Sequence, residues 1–219
     1  TSDVNRGFGG LNAWQPLGVT AAAGEEITVY VGHNSKKTGE NTSLQLVATQ
    51  YHSEATPMFS VVRTLKIGRN DITLPRIGSL NTEAGGALYV QYTGNNASDQ
   101  YAVRVSGGVQ VPILDLYQVT DAAERQTRAE AYVEQLDEYV SQMEAKHAEI
   151  HQASDNKLVQ YAYSKQDCIL GATDILLDTM MLSLPAQQIQ AGSGSGSIAE
   201  RAGKIVTSMD AMEEMMHLF

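Results

Sequence analysis

Residues 109–125 read VQVPILDLYQVTDAAER, and the chain changes character inside this stretch. Before it, apolar residues come in short runs broken by turn formers. After it, they recur at steps of three and four. Pro112 falls at the change, and a proline marks a boundary because its ring and missing N–H suit neither a strand interior nor a helix interior. Thr120 or Asp121 can cap a helix, with Glu124 three residues beyond Asp121. The reading that follows is an α+β chain. An antiparallel β-sandwich of jelly-roll kind is expected over residues 1–110, and an all-helical second half over residues 111–219.

Working back from Gln110, the strands come at sandwich spacing. EEITVYVG (25–32) is rich in β-branched residues. SLQLVAT (43–49) alternates Leu44, Leu46 and Ala48 with other residues. MFSVVRTLKIG (58–68) and NDITLP (70–75) meet at the turn GRND. GGALYVQY (85–92) and QYAVRVSGG (100–108) are separated by TGNNASD, a loop of turn formers. Short strands with turn residues between them, and no helical pattern, exclude a parallel sheet here and point to a sandwich. Gly85-Gly86 and Gly107-Gly108 read as sharp turns or close backbone approaches, not as a dinucleotide motif.

Working forward, Tyr132, Val133, Leu136, Tyr139, Val140, Met143, His147 and Ile150 line one face of a long amphipathic helix. CILGATDILLDTMMLSLPAQQIQ (168–190) reads as a largely buried helix bent or interrupted at Pro185. AGSGSGS (191–197) reads as a flexible connector. AERAGKIVTSMDAMEEMMHLF (199–219) is a further helix. Its Met209, Met212, Met215 and Met216 have core spacing.

The formal net charge is -10, with no basic patch to neutralise phosphates, so a nucleic-acid partner is excluded. No apolar run reaches the length of a membrane span. No leader of the secretory type opens the sequence. Cys168 is the single cysteine, which excludes an internal disulfide and a multi-cysteine metal site. Its apolar neighbours fit an inert buried thiol.

Three candidate sites emerge. His147 and His151 in KHAEIHQ (146–152) are four apart on one helical face, the spacing of paired zinc ligands. The acid is misplaced, however. In H-E-x-x-H it directly follows the first histidine, whereas Glu149 is two positions on and points away. The pair therefore reads first as histidines at the margin of a packed face. Asp174 and Asp178, four apart on the expected helix, could hold a hard cation or do acid–base work. Trp14, Tyr51 and Tyr101 could stack on sugar rings, or close the core at strand ends. No residue is assigned a catalytic role.

Three stretches of the first half carry a family resemblance. WQPLGVTAAAGEEITVYVG, through Pro16, Gly18, Ala21, Gly24, Ile27, Val29 and Val31, resembles the opening of the enhancin-like zinc metallopeptidases. These are the peptidase family M-sixty-like enzymes, which include bacterial mucin-degrading peptidases. RTLKIGRNDI, through Leu65, Gly68, Asn70 and Ile72, resembles the family's L-x-x-G-x-N-x-I. GGALYVQY, through Gly85, Gly86, Leu88, Tyr89 and Val90, resembles its glycine-pair strand. ATDILLDTMMLSLPAQQI (172–189) is similar to bacterial members, less specifically.

The resemblance implies a catalytic H-E-x-x-H helix and a later glutamate as third zinc ligand, and this sequence has neither. In the family that helix follows the region matched here. The expectation is thus the amino-terminal portion of a secreted or cell-surface bacterial zinc metallopeptidase acting on glycoproteins or mucins. On this reading zinc ligands lie outside the chain, residues 111–219 start a truncated catalytic domain, and the chain alone is an inactive scaffold. Its partners would be the remainder of that domain and the glycoprotein substrate. The alternative is a non-catalytic carbohydrate-binding sandwich with a helical spacer.

Overall fold

The computed structural model describes residues 14–21, 24–49, 59–75, 86–96, 98–153 and 171–217. The chain divides into two compact units. One holds the residues up to Gln110, and the other holds Val111–Lys146 with the chain from Gly171 onward.

The first unit is built from strands. They are β1 (Trp14–Ala21), β2 (Glu26–His33), β3 (Asn41–Thr49), β4 (Phe59–Lys66), β5 (Gly68–Thr73), β6 (Gly86–Tyr92), β7 (Tyr101–Ser106) and β8 (Val109–Gln110). They form a five-stranded sheet in the order β4-β3-β6-β1-β8 and a three-stranded sheet in the order β5-β2-β7. All pairings are antiparallel. Alternation decides which side chains go inward. Ile27, Val29 and Val31 of β2, with Ile72 of β5, join Leu44, Leu46, Leu65, Leu88 and Val90 of the larger sheet in one buried cluster. Both sheets therefore contribute to a single core.

The chain passes from one sheet to the other at Ile67–Gly68, between β4 and β5. GRND is thus not a separate turn, since those residues open β5. Gly68 has φ of 94°, and a Cβ there would come within 2.8 Å of the Thr38 methyl, so the corner requires glycine. Asn70 fixes the same corner. Its buried side chain accepts the Lys66 N–H at 2.9 Å and donates to the carbonyls of Lys66 at 2.8 Å and Val29 at 3.1 Å. Gly107 and Gly108 have φ of 97° and 71° and make the turn from β7 to β8. Gly85 lies outside the described residues.

The second unit begins with β9 (Ile113–Asp115) and α1 (Ala122–Ala153). Asp121 caps α1, its carboxylate accepting the Glu124 N–H at 2.8 Å. The stripe Tyr132, Val133, Leu136, Tyr139, Val140 and Met143 is buried, as the spacing predicts. The helix expected over 168–190 is not formed across its described residues. Instead β10 (Ala172–Leu176) and β11 (Met181–Pro185) make an antiparallel hairpin, and only Ala186–Ser193 is helical, as α2. The second half is therefore not all-helical, for it carries a sheet in the order β11-β10-β9.

The reason lies in the pairing. β10 is the central strand, buried at Ala172–Ile175 and parallel to β9, with α1 in the crossover. A strand covered on both faces shows no in–out alternation, so hydrophobic period alone does not separate it from a buried helix. Pro185 ends the edge strand, where its missing N–H costs no ladder bond.

The final helix, α3 (Ile198–His217), matches its expectation. The connector before it is tied at both ends. Ser193 is buried, and Ser197 with Glu200 forms a reciprocal cap, Ser197 N–H to Glu200 at 2.8 Å and Glu200 N–H to the Ser197 hydroxyl at 3.3 Å. Met209 is core as expected, but Met215 is 53% exposed. Among the described residues no helix is long and apolar enough to cross a membrane.

Candidate functional site

The predicted histidine pair lies on the backbone of α1, but the side chains of His147 and His151 fall outside the described residues, as do Tyr51 and Cys168 entirely. Among the described residues no three His, Cys, Asp or Glu side chains gather to hold a metal. The described residues thus offer no ligand set for the zinc that the resemblance implies.

The aspartate pair is separated by the correction to the fold. Asp174 sits buried on β10, paired in register with Ile113 and Ser183. Asp178 lies in the turn beyond that strand, exposed. Its carboxylate accepts the Gln118 N–H, and its own N–H donates to Glu213 at 2.8 Å. Gln118 has φ of 58°, an uncommon value for a residue with a side chain, and the bond to Asp178 holds it. The two carboxylates thus do not share a helical face, and Asp178 acts as a loop anchor.

Around Asp174 the unit builds a polar line inside its core. Tyr132 from α1 shares a hydrogen bond with Thr173 at 3.0 Å, and the Thr173 hydroxyl donates to the Pro112 carbonyl at 2.6 Å. Burial raises the Tyr132 hydroxyl well above its ordinary titration range. The group stays protonated, so it can serve Thr173 as a neutral hydroxyl. Tyr139 donates to the Ala172 carbonyl at 3.0 Å. These bonds fasten α1 to β10 and satisfy buried polar atoms. One helical turn on from Val133, Asp137 receives the Arg201 fork from α3 at 2.7 Å on each oxygen, and Gln190 from α2 at 2.8 Å. The Arg201 hydrogen bonds hold the Asp137 carboxyl below the usual carboxylate range.

Of the predicted aromatics, Trp14 is half-buried with its ring 5.5 Å from that of Tyr89, which is fully buried under it. Tyr101 is half-buried too. Its hydroxyl accepts the Ser43 N–H at 3.3 Å, and its ring lies 4.5 Å from the imidazole of His33. Both rings are engaged at strand ends.

The Tyr101 neighbourhood contains a group that sequence reading passed over. His33 Nδ1 accepts the backbone N–H of Ser35 at 3.0 Å and of Lys36 at 3.1 Å, which places the proton of the neutral ring on Nε2. Nε2 is buried 3.5 Å from Asp99, too far for a good hydrogen bond. Asp99 is in turn held by the Tyr92 hydroxyl at 3.0 Å and the Asn96 amide at 2.8 Å. A histidine beside a carboxylate resembles a general-base pair, but here Nδ1 is occupied by the backbone and Nε2 is sealed in. The arrangement clamps the loop after β2 to the loop after β6. Only the end-of-strand position of His33 before NSKK hinted at it.

No family model matches the chain, and no curated protein does. Solved structures do. The ZmpB metallopeptidase from Clostridium perfringens superposes with a TM-score of 0.53 at 20% identity, over 81% of this chain and 30% of that one. The catalytic module of the metalloprotease ZmpA from the same organism matches with a TM-score of 0.53 at 18% identity, over 86% and 38%. The M60 catalytic domain of ZmpC, solved with the sialyl T antigen, gives a TM-score of 0.53 at 16% identity, over 85% and 37%. This chain shares the fold of part of the M60 metallopeptidase domains. It spans under two-fifths of the length of each of these three.

Proposed function

We propose that this chain is the amino-terminal scaffold of a bacterial, secreted or cell-surface zinc metallopeptidase that acts on glycoproteins. The observation that carries it is the fold shared with three metallopeptidase catalytic domains over more than four-fifths of this chain. A bound ligand supports the substrate class, since the ZmpC domain was solved with the sialyl T antigen. On this reading the first unit is a sandwich of jelly-roll kind and the second begins the catalytic domain. The zinc ligands come from further chain, and zinc there activates water for attack on a peptide carbonyl. The residues described here hold strands and helices in place for that site. Asp137, Arg201 and the Tyr132–Thr173 line are such supports.

The test is a paired assay on a mucin. The 219-residue chain is expected to cleave nothing, whereas the product of the longer reading frame is expected to cut the substrate and to hold zinc, measured by elemental mass spectrometry. Cleavage by the 219-residue chain itself, or a longer product with neither zinc nor cleavage, would sink the proposal.

A further inference from the structure

One face of α3 runs on past its cover. A helix turns ~100° per residue, so side chains three and four apart share a face. Arg201, Ala202, Ile205 and Met209 form such a stripe and are buried. Met212 and Met216 continue it at the same steps, yet both are only half-buried. Met215 lies beside them and is 53% exposed. The last turns of α3 thus present three neighbouring methionines that the core of this unit does not take up.

The same stripe borders a groove between α2 and α3. The groove holds about 160 Å³, and its walls include Ile189, Gly192, Ile205, Ser208 and Met209. A Cβ on Gly192 would meet nothing within 4 Å, so the groove is open on that side. The polar groups alongside are already engaged. The Ser208 hydroxyl donates to the Lys204 carbonyl at 2.9 Å and the Thr207 hydroxyl to that of Gly203 at 2.8 Å, so neither hydroxyl proton needs an outside partner. Asp210 and Glu213 are paired with Arg125. What remains is an apolar strip along α3 from Ile205 to Met216, ~17 Å long at the rise of a helix.

Shape and size select the occupant. A groove between two helices accepts the ridge of a third, through side chains at i, i+3 and i+4. The flexible thioether of methionine adapts to whatever side chains it meets there. A strip ~17 Å long and one helix wide, ~10 Å, falls well short of the ~800 Å² per partner found in stable complexes of separate molecules. A segment tethered to the same chain needs less area, because its effective concentration reaches the millimolar range. The matched structures supply such a segment. This chain covers 30%, 37% and 38% of the three metallopeptidase chains, so more than three-fifths of each has still to be packed. We propose that the Met212–Met216 face of α3, with the groove beside it, seats an amphipathic helix from further chain of the same protein. This rests on the reading of the 219 residues as part of a longer domain, and adds where the remainder is held.

Peroxide tests the seat, because methionine oxidation follows access to the sulfur. The 219-residue chain and the product of the longer reading frame are treated alike, and tandem mass spectrometry follows each methionine. Met143, which is 1% exposed, is the internal reference. Met212, Met215 and Met216 are expected to oxidise at least about tenfold more slowly in the longer product than in the 219-residue chain. Met215→Glu is expected to leave the melting temperature of the 219-residue chain unchanged and to lower that of the longer product by at least about 2 °C. Equal oxidation rates in the two proteins, or an equal shift from Met215→Glu in both, would overturn the proposal. Protection already present in the 219-residue chain and growing with its concentration would give the face to a second copy, and overturns it too. The peptidase reading is judged apart, by zinc and cleavage. A longer product that cuts and holds zinc while these methionines stay open sinks the seat alone. One that protects them with neither zinc nor cleavage keeps the seat and sinks the peptidase.

Discussion

Asn70 shows how much one side chain can settle. Its amide joins the corner between β4 and β5 to the carbonyl of Val29 on β2, and it is buried while doing so. Truncation to alanine removes the accepted Lys66 N–H bond and the amide's contacts with the carbonyls of Val29, Lys66 and Gly68, so Asn70→Ala is expected to cost about 2–3 kcal/mol. Urea unfolding measures it, and a midpoint within error of the parent would refute the role. Asn70→Asp should be about as damaging, because a carboxylate can replace the acceptor but cannot donate to the carbonyls. The L-x-x-G-x-N-x-I pattern did single out Asn70 and Gly68 in the sequence. What it could not give was the partner, because Val29 is 41 residues away and a long-range contact leaves no local trace. The His33 clamp was invisible for the same cause, since Asp99 and Tyr101 are far along the chain although β7 lies beside β2 in the sheet.

Among the elements, those with a strong period were legible. The stripe of α1, the cap at Asp121 and the course of α3 follow from residue spacing alone. β10 and β11 did not, because Ala172–Ile175 is buried throughout, with polar Thr173 and Asp174 inside as well, so it carries no alternation of apolar and polar residues. Without that hairpin, Asp174 and Asp178 looked like neighbours on a helix. The joint between α1, α2 and α3 was equally hidden, since the Arg201 fork on Asp137 depends on three separate segments. It leads to a pH prediction. The Asp137 carboxyl is held below its usual range by Arg201, so its contribution is present above about pH 4, the ordinary carboxylate value, and is lost as pH falls through the lowered folded value. Asp137→Asn should therefore lower the melting temperature at pH 7, and the gap from the parent should close towards pH 2. The pair is partly exposed, so the cost at pH 7 is expected at about 1–2 kcal/mol. A gap that stays constant with pH would show that Arg201 does not act through the charge.

For the whole molecule, the α+β class and the strand-rich first half could be read from the sequence, and the second sheet could not. Because no three described metal ligands gather, a chelator is expected to leave the melting temperature of this chain unchanged. A drop of several degrees would reveal a structural metal held outside the described residues. The parallel pair of β9 and β10 has a further consequence, one of timing. Thr173 and Pro112 touch across 61 residues, with all of α1 in between. A chain made at roughly 5–20 residues per second needs about 3–12 s to travel from one to the other. During synthesis the first eight strands are complete, and α1 can wind as soon as it emerges, while β9 waits for a neighbour not yet translated. A ribosome paused between Pro112 and Thr173 should hold a nascent chain with its first core protected from protease and its short ninth strand still open to a chaperone.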